Sequence, residues 1–175
     1  CDQYYQATAV DDAEKRITEL NGVADSYTNE AAGMWARLMV AEAQLVSGAN
    51  ASFKDREEGR DDLESAQQDF EKVIQAGEQL SASEGSLLLQ RAHWGLARTL
   101  ESQAKPDDAI EAYEKLAKSG PDSALGNSAE GKIEQLKLMS DWYDWYASVD
   151  PTTIEPSATQ GGFPGGGFPG SGLPG

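Results

Sequence analysis

The chain contains one histidine, His93, and one cysteine, Cys1, so few of its side chains could act as a nucleophile or a base. Nucleophilic catalysis needs a base beside a serine, threonine or cysteine. His93 is the one imidazole available, and the spacing of the residues around it indicates a packing position. No Gly-rich loop precedes a Lys-Ser or Lys-Thr pair, so no phosphate-binding motif is present. We therefore expect no catalytic residues and no cofactor.

Carboxylates are the abundant chemical groups, and they cluster between residues 55 and 64. The run consists of Asp55, Glu57, Glu58, Asp61, Asp62 and Glu64. Such a run could gather a cation, but it lacks the glycine-turned loop and the ligand spacing of a calcium site. The pattern fits a solvated helix face better, and we expect no metal site.

The strong acidity of the chain restricts its partners. Lys and Arg number 14 and Asp and Glu number 30, which gives a formal net charge of -16. Such a surface repels phosphate backbones and anionic lipids. Basic or hydrophobic protein segments are the expected partners, and nucleic acid is not. No run approaches the roughly 18 to 20 apolar residues that span a bilayer, so membrane attachment would need an anchor upstream of Cys1 or a lipid on it.

Composition divides the chain at about residue 148. Residues 1–148 are rich in helix-forming residues and contain two prolines, whereas residues 149–175 hold the other five prolines and end in GGFPG, GGFPG and SGLPG. We expect a helical domain followed by a disordered Gly/Pro-rich tail. As an alternative, Phe163, Phe168 and Leu173 recur at regular spacing and could each enter a pocket of a partner.

The first region is predicted to form seven helices with short connections, stacked as antiparallel pairs. Gly48 is expected to stop the third helix, and a continuation of the seventh helix through Tyr146 is left open. The first six are predicted at 3–9, 11–27, 30–47, 54–80, 84–104 and 106–119, and the seventh begins after Ser123.

Two neighbouring helices carry a spacing typical of a helix-pair repeat. In HWGLARTLESQAKPDDAIEAYEKLAKSGP, the positions that the tetratricopeptide pattern gives to Trp, Leu-Gly, Tyr, Ala, aromatic and Pro hold His93, Leu96-Ala97, Leu100, Ala109, Tyr113 and Pro121. Small residues let the two helices approach, and large ones fill the space beside them. The chain therefore resembles the tetratricopeptide-repeat family over residues 10–140. The resemblance implies an all-α solenoid of antiparallel helix pairs.

An earlier stretch carries a second copy of this pattern. Trp35, Leu38 and Met39 match the first helix of a pair, and Ala66 and Phe70 match the second. Glu42 stands where an aromatic residue is expected, and residues 48–63 read as an insertion. Residues 11–20 resemble the second helix of a third, weaker copy.

A narrower resemblance rests on Tyr4-Tyr5, MWARLMVAEAQLVSG, the charged insertion before QQDFEKVIQAGE, LLLQRAHWGLARTLESQAKPDDAIEAYEKL and SDWYDWY. Together they resemble the repeat domain of the ancillary SecYEG translocon subunit family of bacterial envelope proteins. This resemblance implies an upstream transmembrane anchor, repeats outside the cytoplasm and a role in assisting newly translocated proteins. Sec translocon components would then be partners. A lipid anchor at Cys1 and a cytoplasmic location are the alternatives.

The repeat register places one side of each first helix in a concave groove. It assigns to the groove Arg91, Trp94, Arg98, Glu101 and Ser102, and from the earlier copy Ala36, Val40, Ala43 and Gln44. An aromatic ring beside two arginines can hold an extended peptide by stacking and by Arg–carboxylate pairing. As an alternative, Trp94 simply fills the core.

The aromatic segment formed by Trp142, Tyr143, Trp145 and Tyr146 is expected to cap the last repeat. Binding a partner or forming a dimer is its alternative role. From these observations we expect a non-enzymatic protein–protein interaction module, a scaffold or chaperone-like protein of the bacterial cell envelope. The alternative is an assembly scaffold that acts by self-association or through the motifs of its tail.

Overall fold

The computed structural model describes residues 2–80 and 82–148, and within these residues the chain is all-α without a strand. It forms eight helices, so the prediction of an all-α chain is confirmed. The helices are α1 (Asp2–Thr8), α2 (Ala13–Ser26), α3 (Ala31–Ser52), α4 (Arg56–Gly77), α5 (Ala82–Ser102), α6 (Pro106–Ser119), α7 (Ala124–Leu138) and α8 (Ser140–Ser148).

Local signals explain where four of the eight described helices begin. The side chain of Asp12 accepts a hydrogen bond from the backbone N–H of Lys15, and Ser123 accepts one from the N–H of Gly126. Asp55 caps α4 by accepting from the N–H of the second residue of that helix. Such side chains satisfy the amides that the first turn of a helix leaves unpaired. Pro106 opens α6, where its missing N–H costs nothing.

Each helix packs against the next one along the chain, and the odd-numbered helices also contact one another in succession, α1 with α3, α3 with α5, and α5 with α7. Three apolar clusters fill the spaces between these layers, the first joining α1, α2 and α3, the second α3, α4 and α5, and the third α5, α6 and α7. Phe70 and Tyr113 are the largest fully buried side chains. The odd-numbered helices therefore form a continuous inner layer.

The prediction that Gly48 ends the third helix is wrong, because α3 continues to Ser52. Gly48 is buried against Gly59 of α4, where a Cβ on Gly48 would lie 2.9 Å from the Gly59 carbonyl oxygen. The glycine therefore permits a close approach between two helices and does not act as a cap. Most of the predicted insertion lengthens α3 and α4, each of which has 22 residues.

The last predicted helix is divided at Met139, so α8 is a separate helix. Its Tyr143 packs against the cluster of α5, α6 and α7. Cys1 and the predicted tail, residues 149–175, lie outside the described residues, as does Ser81. Among the described helices, none combines the length and the apolar character needed to cross a bilayer.

Candidate protein-binding face

Two rows of side chains, one on α3 and one on α5, lie on the side of the inner layer that faces away from the even-numbered helices. Residues separated by three or four positions share one side of a helix. We call this surface the odd-helix face. One row consists of Trp35, Met39, Glu42 and Val46 on α3 together with Phe53, the residue that follows this helix, and the other consists of Leu87, Arg91, Trp94, Arg98 and Glu101 on α5. The two rows lie beside each other because Arg91 contacts both Glu42 and Trp35.

The contact between Arg91 and Glu42 joins α3 to α5. The Arg91 guanidinium donates from Nη2 to both carboxylate oxygens at 2.7 Å and from Nε to Oε1 at 3.1 Å. It also lies 5.6 Å from the ring centroid of Trp35. Both charged side chains are partly exposed, so we assign the pair no more than about 1 kcal/mol of stability. Its main effect is to fix the spacing of the two rows.

Glu101 joins α5 to both α6 and α7. It accepts a hydrogen bond from the Tyr113 hydroxyl at 3.1 Å and one from Lys132 Nζ at 3.3 Å. Burial raises the pKa of Tyr113, and the negative charge and hydrogen bond of Glu101 raise that pKa further. The phenol therefore stays protonated and keeps donating to the carboxylate at any physiological pH.

Tyr4 links α1 to the same face. Its hydroxyl donates to the Met39 sulfur at 3.4 Å, and its ring meets Tyr5 edge-on with 5.6 Å between centroids. Burial raises the pKa of Tyr4, which the nearby positive charge of Arg91 opposes. One cross-link therefore connects each successive pair of odd-numbered helices.

Several large apolar side chains on this face are open to solvent. Phe53 is 90% exposed, Val46 60%, Leu87 57% and Trp142 41%. Trp142 reaches the face from α8, where it lines a small cleft with Phe53 and Glu101. Clustered apolar side chains on a monomer surface mark interaction sites more often than scattered ones do.

The structure brings the five predicted residues of α5 together on one side of the helix. Arg98 is exposed, and no described residue forms an ion pair with its guanidinium. Arg91 and Glu101 are already engaged with Glu42 and Lys132. Ser102 donates its hydroxyl to the Arg98 carbonyl and lines the small cleft.

Trp94 has both of the roles considered for it from the sequence, one on the accessible face and one in the core. It is half-buried and packs edge-on against Tyr113, with 5.3 Å between ring centroids and 65° between ring planes. Part of the indole therefore contributes to the core cluster of α5, α6 and α7, and part remains accessible on the odd-helix face.

Two of the groove positions predicted on α3, Ala36 and Val40, are wrong, because both side chains are fully buried in the cluster with α2. Ala43 and Gln44 are half-buried, and their place in a groove stays a prediction. The repeat register gives Ala36 and Val40 the places that Trp94 and Arg98 have in α5, but in α3 this side packs against α2.

The α3 row of the odd-helix face is what the sequence reasoning missed. Its members Trp35, Met39 and Glu42 carry the contacts to Arg91 and Tyr4, and Val46 and Phe53 supply exposed apolar surface. Their spacing of three, four and seven residues is visible in the sequence. Helix α3 is apolar on most of its circumference, however, so periodicity alone does not select this row.

His93 lies on the opposite side of α5, in a cleft of about 410 Å³ between α4 and α6. Burial lowers the pKa of His93, the positive charge of Lys115 lowers it further, and Glu78 opposes this shift. Its Nδ1 is buried, and no described residue donates to it or accepts from it. Four carboxylates line this cleft, namely Glu71, Glu78, Asp108 and Glu111.

Within the described part of the chain, no three His, Cys, Asp or Glu side chains converge as metal ligands do. In the acidic run, Asp55 acts as a helix cap and Glu57 pairs with Arg60. No protein-family model matches this chain, and no curated protein or solved structure matches it either.

Proposed function

We propose that this chain is a non-enzymatic protein-interaction module that binds an extended polypeptide segment along the odd-helix face. The observation that carries the proposal is the set of exposed apolar side chains, Val46, Phe53, Leu87 and Trp142, on a face that cross-links hold in place. Burial of apolar surface is the dominant favourable term in most protein–protein association. Arg98, which forms no ion pair within the described part of the chain, adds a charged anchor for a carboxylate on the bound segment.

A tetratricopeptide-like solenoid is part of this proposal. It is supported by the succession of contacts among odd-numbered helices, because the first helices of repeat pairs line the concave side of a solenoid. It is also supported by Ala97 and Ala109, which are fully buried where the repeat pattern requires small residues, and by Tyr113, which is fully buried at its aromatic position.

The narrower resemblance extends the proposal to a location and to partners. We place the module at the bacterial cell envelope, tethered upstream of Cys1, where it acts as a scaffold or a chaperone-like helper. Translocon components and newly exported chains are then the proteins that it contacts. The net charge of -16 favours segments that are apolar or basic.

A second candidate function is assembly by self-association. It is favoured by Trp145 of α8, which is 41% exposed, and by Leu138 at the end of α7, which is 87% exposed. These side chains lie near the end of the helical stack, where a second copy could cover them. Sedimentation at rising concentration tests this candidate, and a size that stays constant would reject it.

The binding proposal is tested with an array of overlapping synthetic peptides and the full chain. A variant with Val46→Ser and Leu87→Ser removes two exposed anchors from adjacent helices without touching the core. We expect the affinity for the best-bound peptide to fall about tenfold, which corresponds to about 1.4 kcal/mol. Arg98→Ala should selectively lower the affinity for acidic peptides.

The control is Leu138→Ser, which removes an apolar side chain that is even more exposed from a different surface. Surface substitutions of this kind change stability by no more than about 0.5 kcal/mol, so all variants should give the same thermal melt. Equal binding by the wild-type chain and the Val46/Leu87 variant would reject the odd-helix face as the binding surface.

A further inference from the structure

One end of the odd-helix face forms a cleft with three aromatic side chains in its lining. It lies between the last turn of α3, the last turn of α5 and the first turn of α8, and has a volume of about 160 Å³. Phe53, Trp142 and Tyr143 supply its aromatic surface, and the lining is completed by Ala49, Ser52, Glu101 and Ser102. Trp142 and Tyr143 meet edge-on, with 5.0 Å between ring centroids.

The size of the cleft suits a single ring. A protein cavity of about 150 Å³ is known to hold one benzene molecule. The larger cleft between α4 and α6 has four carboxylates on its walls and suits a cationic group better than an uncharged ring. The aromatic cleft therefore fits an uncharged phenylalanine or leucine side chain better than the cleft between α4 and α6 does.

The chain itself carries such side chains close by. Residues 161–175 repeat a Gly-Phe-Pro-Gly or Gly-Leu-Pro-Gly motif, with Phe163, Phe168 and Leu173 as the apolar members. Aromatic-lined grooves commonly bind proline-containing segments. Residues 156–175 contain no charged side chain, so the acidity of the helical region does not repel them.

The position of α8 brings these motifs within reach. Trp142 precedes the end of α8 at Ser148 by six residues, which is about 9 Å along a helix axis. Fourteen residues, 149–162, separate the end of α8 from Phe163, and a chain of that length spans at most about 50 Å. A short tether of this kind gives an effective concentration in the millimolar range, so even a motif with a Kd of about 1 mM would be bound about half of the time.

We propose that the aromatic cleft formed by Phe53, Trp142 and Tyr143 is an intramolecular docking site for the Phe-Pro-Gly and Leu-Pro-Gly motifs of residues 161–175. The three motifs exchange in one cleft, which holds one apolar side chain at a time. The tail then covers one end of the odd-helix face. If the proposed function holds, a bound partner must displace the tail from this end.

The test compares backbone amide resonances of full-length chains labelled with ¹⁵N. The tail variant carries Phe163→Ala, Phe168→Ala and Leu173→Ala. We expect the amides of Phe53, Glu101 and Ser102 to shift between this variant and the wild-type chain. Amides of α2 and of the last turn of α4 should not shift.

The reciprocal variant is Phe53→Ser, which leaves the fold intact because Phe53 is almost fully exposed. We expect it to move the amides of Phe163 and Phe168 to the positions seen in an isolated peptide of residues 149–175. Leu138→Ser is the control, and it should leave the tail amides where they are in the wild-type chain.

Three outcomes would overturn the proposal. Cleft amides that are identical in the wild-type chain and the tail variant would show that the tail does not dock. Shifts confined to another part of the odd-helix face would place the tail elsewhere. Chemical-shift differences that vanish on dilution would show that the tail binds to the cleft of a second copy of the chain. None of these measurements uses an external partner, so they stand or fall independently of the proposed function.

Discussion

At the scale of single residues, the chemistry of this chain is that of packing and pairing. His93 lies in a half-buried position between α4 and α6, with its Nδ1 shielded from solvent. Tyr113 is fully buried and donates its hydroxyl to Glu101. The packing roles of both side chains follow from their places in a helix-pair pattern. That pattern depends on residue size, which can be read directly from the sequence.

His93 should make stability depend on pH near its ordinary pKa of 6.5. Because burial and Lys115 lower its pKa in the folded chain, the unfolded chain binds more protons between the two pKa values. The free energy of unfolding therefore falls as the pH falls through this window. The groups that face the imidazole are Glu71 and Glu78 from α4 and Asp108, Glu111 and Lys115 from α6.

Urea unfolding at pH values above and below 6.5 measures this effect. As the pH is lowered through this interval, we expect the free energy of unfolding to fall less for His93→Gln than for the wild-type chain. The comparison removes the pH dependence that the carboxylates contribute, because they are the same in both proteins. A wild-type chain whose pH dependence equals that of His93→Gln would contradict the assigned shift in pKa.

At the scale of helices, local signals predicted the starts of α2, α4 and α6 well, because a cap or a proline acts within one turn. The end of α3 could not be predicted in this way. Gly48 has the local properties of a helix stop, and its real role depends on Gly59, which lies on another helix. Likewise, the exposed row of α3 depends on which neighbours cover its other sides.

Alanine substitutions at two helical glycines should have opposite effects on the free energy of unfolding. Gly59 of α4 lies in the close contact with α3, whereas Gly131 of α7 faces open space. A Cβ on Gly59 would collide with the Gly48 carbonyl and the Ser52 side chain, whereas a Cβ on Gly131 meets nothing within 4 Å. We expect Gly59→Ala to cost about 1 to 3 kcal/mol because backbone must move. Gly131→Ala should add about 0.5 to 1 kcal/mol, since alanine suits a helix interior better.

Urea midpoints of the two alanine variants measure these changes against the wild-type chain. The same substitution is made in both helices, so differences in helix propensity cancel. A Gly59→Ala variant that gains as much stability as Gly131→Ala would show that the two helices are not in close contact at this point.

A strained residue lies at the turn between α5 and α6 and gives a further prediction about stability. Ala104 has a φ of 57°, in the left-handed region that favours glycine. The N–H groups of Ala104 and Lys105 bond back to carbonyls in the last turn of α5. Ala104→Gly should therefore raise the free energy of unfolding by about 0.5 to 1 kcal/mol, measured by urea unfolding, and a loss of stability would contradict the strained turn.

At the scale of the whole molecule, the inner layer of odd-numbered helices presents one continuous surface. Its cross-links run from Tyr4 to Met39, from Glu42 to Arg91 and from Glu101 to Lys132. The α5 half of this surface could be predicted because its residues follow the repeat register. The α3 half could not, because a helix that is apolar on most sides shows its free row only after its neighbours are in place.

The central claim is that polypeptide segments bind to the odd-helix face, and site-specific photo-crosslinking tests it most directly. A photoreactive amino acid is placed in the full chain at Val46 or Leu87 on this face, or at Gln68 of α4 or Glu111 of α6. All four positions are exposed. The best-bound peptide of the array is the probe, with unlabelled peptide as competitor.

We expect the probe to crosslink from Val46 and Leu87 and the unlabelled peptide to suppress that signal, while Gln68 and Glu111 give no crosslink that competes. Crosslinks of equal yield from all four positions, or crosslinks from the α4 and α6 positions alone, would contradict the odd-helix face as the binding surface.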